Sequence, residues 1–136
     1  MSRLRSLGVG LVGLVGLAFV AFGVDDLTLD APPPMQERSF ERIGGVSDGG
    51  RALSLAAFDG QGGLFLASGI ALLSLAAIPI RRGERWAVLA AALIVVCGNA
   101  GIILAVTQIG AGHLPLDVLL GIGLAGCGLC WAARTT

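Results

Sequence analysis

The sequence predicts an all-α membrane protein, with four transmembrane helices in one antiparallel bundle and both termini cytoplasmic. Three observations carry this expectation. The chain is 55% hydrophobic and only 13% charged, where a soluble domain carries about 25% charged residues, and its mean hydropathy is +0.88. Two uncharged runs, Gln61 to Ile80 and Trp86 to Leu116 (His113 aside), flank the charged knot Arg81-Arg82-Gly83-Glu84-Arg85. About 20 apolar residues cross a bilayer's hydrocarbon core as a helix, so the knot reads as a tight turn between two spans. Third, the knot's three arginines should hold that turn on the cytoplasmic side.

The elements follow in order. Met1 to Ser6 carry Arg3 and Arg5, and residues 7–24 then hold no charge. This is the first span. A cleaved signal peptide ending at Ala21-Phe22-Gly23 is the alternative, but the apolar run exceeds the 7–15 residues of a usual signal core, so a retained helix is expected. Residues 25–59 form an extracytoplasmic loop with seven acids against Arg38, Arg42 and Arg51. Pro32-Pro33-Pro34 ends any helix arriving from the first span. Met35 to Ile43 suit a short helix, and Gly44-Gly45 and Gly49-Gly50 should interrupt it. The second span covers about 60–80. Its start could reach back to Leu53, with Asp59 in the outer turns, or an interfacial stretch could bend at Gly60. The third span covers about 84–109, with Trp86 at the interface depth usual for Trp. Gly110 to His113 form a turn. The fourth span covers about 114–133, with Trp131 as a second anchor and Arg134 beyond it.

Arginine counting fixes the expected orientation. With the knot inside, Arg3, Arg5 and Arg134 are inside as well, and the other three lie in the acidic outer loop. The 136 residues form one four-helix domain with no room for a separate soluble one. A formal net charge of zero argues against a nucleic-acid partner. The bilayer is the primary partner.

Small residues mark expected packing seams. These are Gly10, Gly13 and Gly16 in the first span, Gly63, Ala67 and Ala71 in the second, and Gly121 and Ala125 in the fourth, with Gly126 and Cys130 alongside. Packing inside one bundle explains them most simply. A membrane-protein partner or a homo-oligomer could use the same seams. The short turns should make the second span a neighbour of the third, and the third of the fourth.

The polar side chains sort by depth. Every span offers polar groups to its outer half, whereas the inner half has little beyond Ser74 and the cysteines. A carboxylate inside a membrane helix costs about 2.5–3.5 kcal/mol at the centre and less near the interface. The expectation is an outward-opening pocket, lined by Asp59, Gln61, Asn99, Gln108, His113 and Asp117, for a small or lipidic ligand. A plainer reading stands beside each. Asp117 follows Pro115 at a helix start, where the dipole favours an acid. Asn99 can make a packing hydrogen bond, and His113 can be a solvated turn residue. A metal site on His113 with Asp59 or Asp117 has no ligand-spacing motif behind it, and no metal is expected.

Cys127-Gly128-Leu129-Cys130 has the letters of a redox pair. Four-helix membrane oxidoreductases similar to vitamin K epoxide reductase carry such a pair toward the outer face, with loop cysteines to recharge it. Here the pair lies toward the cytoplasmic end and the long loop has no cysteine. Small apolar packing residues are the better reading. The sequence has no Gly-rich phosphate loop, and its single histidine does not supply a haem axial ligand within a span. No cofactor is expected.

The Arg-led first span, the loop, the stretch Gly62-Gly63-Leu64-Phe65-Leu66-Ala67-Ser68-Gly69 opening the second span, and the short Arg-rich turn before two further spans resemble DoxX-like small bacterial four-helix membrane proteins. The resemblance implies a bacterial inner-membrane location and, for some members, association with quinol oxidation or thiol-related complexes. No catalytic residue carries over. A non-catalytic accessory subunit or ligand binder is the leading expectation. A small proton- or cation-coupled transporter using Asp59 and Asp117 is the first alternative, and a membrane redox subunit the second.

Overall fold

A computed structural model describes residues 2–42, 44–108 and 114–133, without the side chains at positions 35, 101, 105, 106, 108 and 114. The turn expected at Gly110 to His113 and Arg134 after the fourth span lie outside the described residues. Every regular element among the described residues is a helix: α1 (Arg3–Leu27), α2 (Pro34–Arg42), α3 (Asp48–Ala77), α4 (Pro79–Arg82), α5 (Arg85–Gln108) and α6 (Leu114–Ala132). Four stretches are long and apolar enough to cross a membrane: α1, α3 continued through α4, most of α5, and most of α6.

Local chemistry sets the boundaries. Ser2 caps α1, its Oγ accepting from the Arg5 backbone N–H at 3.3 Å. The helix runs on through Asp25 and Asp26 and stops at Thr28, whose backbone N–H and Oγ1 both donate to the Asp25 carbonyl. Pro34 opens α2, where a missing N–H costs nothing. Ser47 caps α3 by accepting from the Gly50 N–H at 3.2 Å. The cap wins over the helix-breaking tendency of Gly49 and Gly50, which sit inside the first turn. α3 therefore starts well before residue 60. Its 30 residues span about 45 Å, more than the roughly 30 Å of a bilayer's hydrocarbon core. A Glu37–Arg51 ion pair at 2.7 Å ties α2 to the first turn of α3.

Pro79 ends α3 and begins α4, a single turn. Gly83 closes it at φ 87, a left-handed conformation that favours glycine, and its N–H donates to the Ile80 carbonyl at 3.0 Å. The indole of Trp86 donates to Glu84 across the same turn.

α1 lies at the centre of the packing, most extensively against α3 and next against α6. α5 packs on α6, and α3 meets α5 only sparsely. Two glycine pairs a heptad apart mesh α1 with α3. A Cβ on Gly23 would lie 2.6 Å from the Leu66 backbone N and 2.7 Å from the Gly62 carbonyl O, and one on Gly69 would lie 2.7 Å from the Gly16 carbonyl O. The reversed order, Gly16 facing Gly69 and Gly23 facing Gly62, shows that the helices run antiparallel. At the α1–α6 seam, a Cβ on Gly8 would lie 2.6 Å from Cys130 Sγ and 2.7 Å from the Gly126 carbonyl O, so these helices too are antiparallel. Of the expected seam residues, Gly16, Gly126 and Cys130 stand at contacts. Gly10, Gly13, Gly63 and Gly121 face open space, and Ala67 and Ala125 are exposed. The difference is one of phase, since the true seam repeats every seven residues.

Val12, Val15, Phe19, Leu72, Ala87, Ala91 and Val95 fill the core. Phe19 meets Phe65 edge to face, with centroids 5.1 Å apart. Leu7, Leu14, Leu17, Leu64, Leu89, Leu93 and Leu104 point outward. Helices that are apolar on every side suit a lipid surround. The antiparallel order gathers Arg3, Arg5, Arg81, Arg82 and Arg85 at one end, hereafter the arginine end, and Asp25, Asp26 and Asp59 at the other, the acidic end.

Candidate functional site

The sparse α3–α5 seam leaves a groove in the half of the bundle nearer the acidic end. Its volume is about 350 Å³, and it is lined by Gly60, Gln61, Leu64, Phe65, Cys97, Gly98 and Ile102. The sequence dictates this opening. α3 turns Gly62 and Gly69 toward α1, so its close-packing face is already used. The neighbouring face carries Gln61, Leu64 and Phe65, spaced i, i+3 and i+4, which stack along one side of a helix. Phe19 of α1 forms a wedge behind the groove. It packs on Phe65, and a Cβ on Gly98 would lie only 2.8 Å from its ring. A fully buried aromatic thus fills the space behind the seam and backs the groove floor.

The groove is mostly apolar with one polar side chain at its acidic end. Gln61 Nε2 donates to Asp26 Oδ2 at 3.2 Å, joining α3 to α1. The amide carbonyl of Gln61 is a hydrogen-bond acceptor, and the Asp26 carboxylate behind it holds the amide's orientation. A predominantly apolar cavity of a few hundred Å³ with few convergent polar groups is the usual form of a small-molecule site.

Of the six expected pocket residues, the structure describes the side chains of four and separates them. Gln61 lines the groove. Asn99 directly follows the groove residue Gly98 but is fully buried; its Nδ2 donates to the Val95 carbonyl at 2.7 Å, and its Oδ1 is buried with no hydrogen-bond partner. Asp59 is exposed on α3, and Asp117 is half-buried in the first turn of α6. Neither lines the groove. The Gln108 side chain and His113 lie outside the described residues.

Sequence reasoning passed over the apolar lining and the Asp26 partner. One signal was present, since Gln61, Leu64 and Phe65 share a helical face. No comparable signal pairs Asp26 with Gln61, because a contact 35 residues apart depends on which glycines mesh.

Cys127 and Cys130 are buried inside the bundle and form no disulfide. Cys130 Sγ lies 4.0 Å from the Arg5 carbonyl, to which it donates. Among the described residues, no group of His, Cys, Asp and Glu could hold a metal ion. No family model, curated protein or solved structure matches this chain.

Proposed function

We propose that this chain is a small integral membrane protein of a bacterial cytoplasmic membrane that binds a lipidic or small apolar ligand in the α3–α5 groove without transforming it. In this reading the arginine end faces the cytoplasm, so the groove opens in the outer half of the bilayer, as the arginine distribution favours. The observation that carries the proposal is the groove itself. It holds apolar walls for a tail, and the Gln61–Asp26 pair stands at the end nearest the headgroup region. A ligand arriving from the lipid would enter without first crossing water.

Native mass spectrometry of the full chain, extracted gently from its membrane, tests this. Expected is a co-purifying apolar ligand that is lost about tenfold or more in Gly60→Leu. Gly60 lines the groove and has open space beside its Cα, so a leucine there fills the site with the bundle intact. A wild-type protein free of ligand, or equal loading of both, would sink the proposal.

A second reading has its own observation. Gly63 and Gly121 face open space, and Ala67 and Ala125 are exposed. Such small residues on an outward face permit close approach of another helix. An accessory subunit predicts that Gly63→Leu releases a co-purifying membrane partner and leaves the isolated chain unaltered. A partner that remains bound would rule out that face.

A further inference from the structure

Among the described residues, the arginine end carries five arginines (Arg3, Arg5, Arg81, Arg82 and Arg85) and one acidic side chain, Glu84. That carboxylate already accepts from the Trp86 indole. Among the described residues, the ion pair with a carboxylate is Arg51–Glu37, near the opposite end of the bundle. Arg5 differs from the other four. It is half-buried, and its Nε is fully buried with no hydrogen-bond partner. The guanidinium lies against the left-handed turn at Gly83, where a Cβ would lie 3.3 Å from one terminal nitrogen and 3.5 Å from the central carbon and the other nitrogen. The φ at Gly83 favours glycine there, and the missing side chain leaves the guanidinium room to lie over the turn. The backbone N–H groups of Gly83 and Glu84 are spent on the Ile80 and Pro79 carbonyls, so neither of these two is open to an anion.

We infer that Arg5, with Arg81 and Arg82 beside the Gly83 turn, binds the phosphate of an anionic phospholipid in the adjoining leaflet. The inference rests on insertion of the four spans but not on the groove. Charge complementarity selects the occupant. Guanidinium groups match phosphate oxygens as paired donors, and this end of four apolar spans lies at headgroup depth. Basic pockets between transmembrane helices hold anionic headgroups for the same reason. A half-buried arginine held against a rigid turn gives a fixed site, where the exposed arginines alone would give only diffuse attraction.

The test is native mass spectrometry of the full chain in a neutral detergent with added phosphatidylglycerol or phosphatidylcholine of identical tails. Expected is a preference of about tenfold for phosphatidylglycerol. Arg5→Gln removes that preference, and Arg3→Gln, at an exposed position, lowers it less than about twofold. Inorganic phosphate at the lipid's concentration does not displace the lipid. Equal binding of the two lipids would overturn the inference, as would a preference that survives Arg5→Gln. Displacement by inorganic phosphate would overturn the lipid assignment in favour of a free-anion site. Should Arg5→Gln fail to elute as a helical, monodisperse protein, the double variant Arg81→Gln/Arg82→Gln decides. Both positions are exposed, and a preference left undiminished by the pair refutes the inference.

Discussion

At the residue scale, Phe19 and Asn99 are both fully buried yet differ in what they contribute. Phe19 packs on Phe65 and against Gly98, and it backs the groove. Phe19→Ala is expected to cost about 3–5 kcal/mol, the usual range for emptying an aromatic site, and to widen the groove from behind. Asn99 makes one short-range bond to its own helix and leaves Oδ1 without a partner. Asn99→Ala removes that bond and the unpartnered oxygen together, so the losses largely offset, and polar contacts inside helical membrane proteins average about 0.6 kcal/mol. A change of about 1 kcal/mol or less is expected. Unfolding both variants in mixed micelles with increasing dodecyl sulfate checks the contrast. If Asn99→Ala proves as damaging as Phe19→Ala, Oδ1 has a partner essential to the fold.

At the element scale, helix seams are set by phase. Gly23→Leu forces a side chain into the Leu66 and Gly62 backbone, so α1 and α3 must separate; Gly10→Leu meets open space. Thermal unfolding in detergent should show a large loss for Gly23→Leu and a shift within about 0.5 kcal/mol for Gly10→Leu. Similar losses in both would mean that α1 presents a different face to α3. This contrast also explains what was legible in the sequence. The four spans and the short helix near 34–42 could be read from charge gaps and proline placement, because insertion depends on local composition. The seam glycines could not, since 22 glycines offer several phases and only packing selects one. The start of α3 was hidden for a related reason. Gly49 and Gly50 suggest a break, while the Ser47 cap satisfies an N–H that would otherwise be orphaned. Ser47→Ala is expected to cost about 1 kcal/mol and to speed hydrogen exchange over the first turns of α3 alone. Faster exchange throughout the bundle would contradict so local a role.

At the whole-molecule scale, the candidate site follows from an inequality among seams. Glycine meshing draws α1 hard against α3 and α6, and the remaining α3–α5 contact stays loose enough to hold a groove. Polar residues alone point to Gln61 but not to the place where the bundle opens, because sorting them by depth says nothing of the direction each faces. The charge asymmetry between the two ends bears on orientation. Arginines gathered at one end of four apolar spans resist translocation, whereas the acidic segment between α1 and α3 offers little resistance. The expected orientation therefore places Ser39 of α2 outside and Arg82 of α4 in the cytoplasm. Ser39→Cys should react with a membrane-impermeant maleimide in intact cells, and Arg82→Cys only after lysis, each measured above the background of the native thiols. The reverse pattern would move the groove to the inner half of the bilayer. Dual labelling would mean that both orientations coexist, with the arginine clusters failing to decide between them. A further variant isolates the cause. Replacing Arg81, Arg82 and Arg85 with glutamine leaves Arg3 and Arg5 as the described basic residues at that end, against Arg38, Arg42 and Arg51 near the other. If charge asymmetry sets the orientation, a measurable fraction of this variant, with Arg82→Cys in place of the glutamine at that position, should label in intact cells. A variant that keeps a single orientation would show instead that the order of insertion of the spans, rather than the knot, sets the topology.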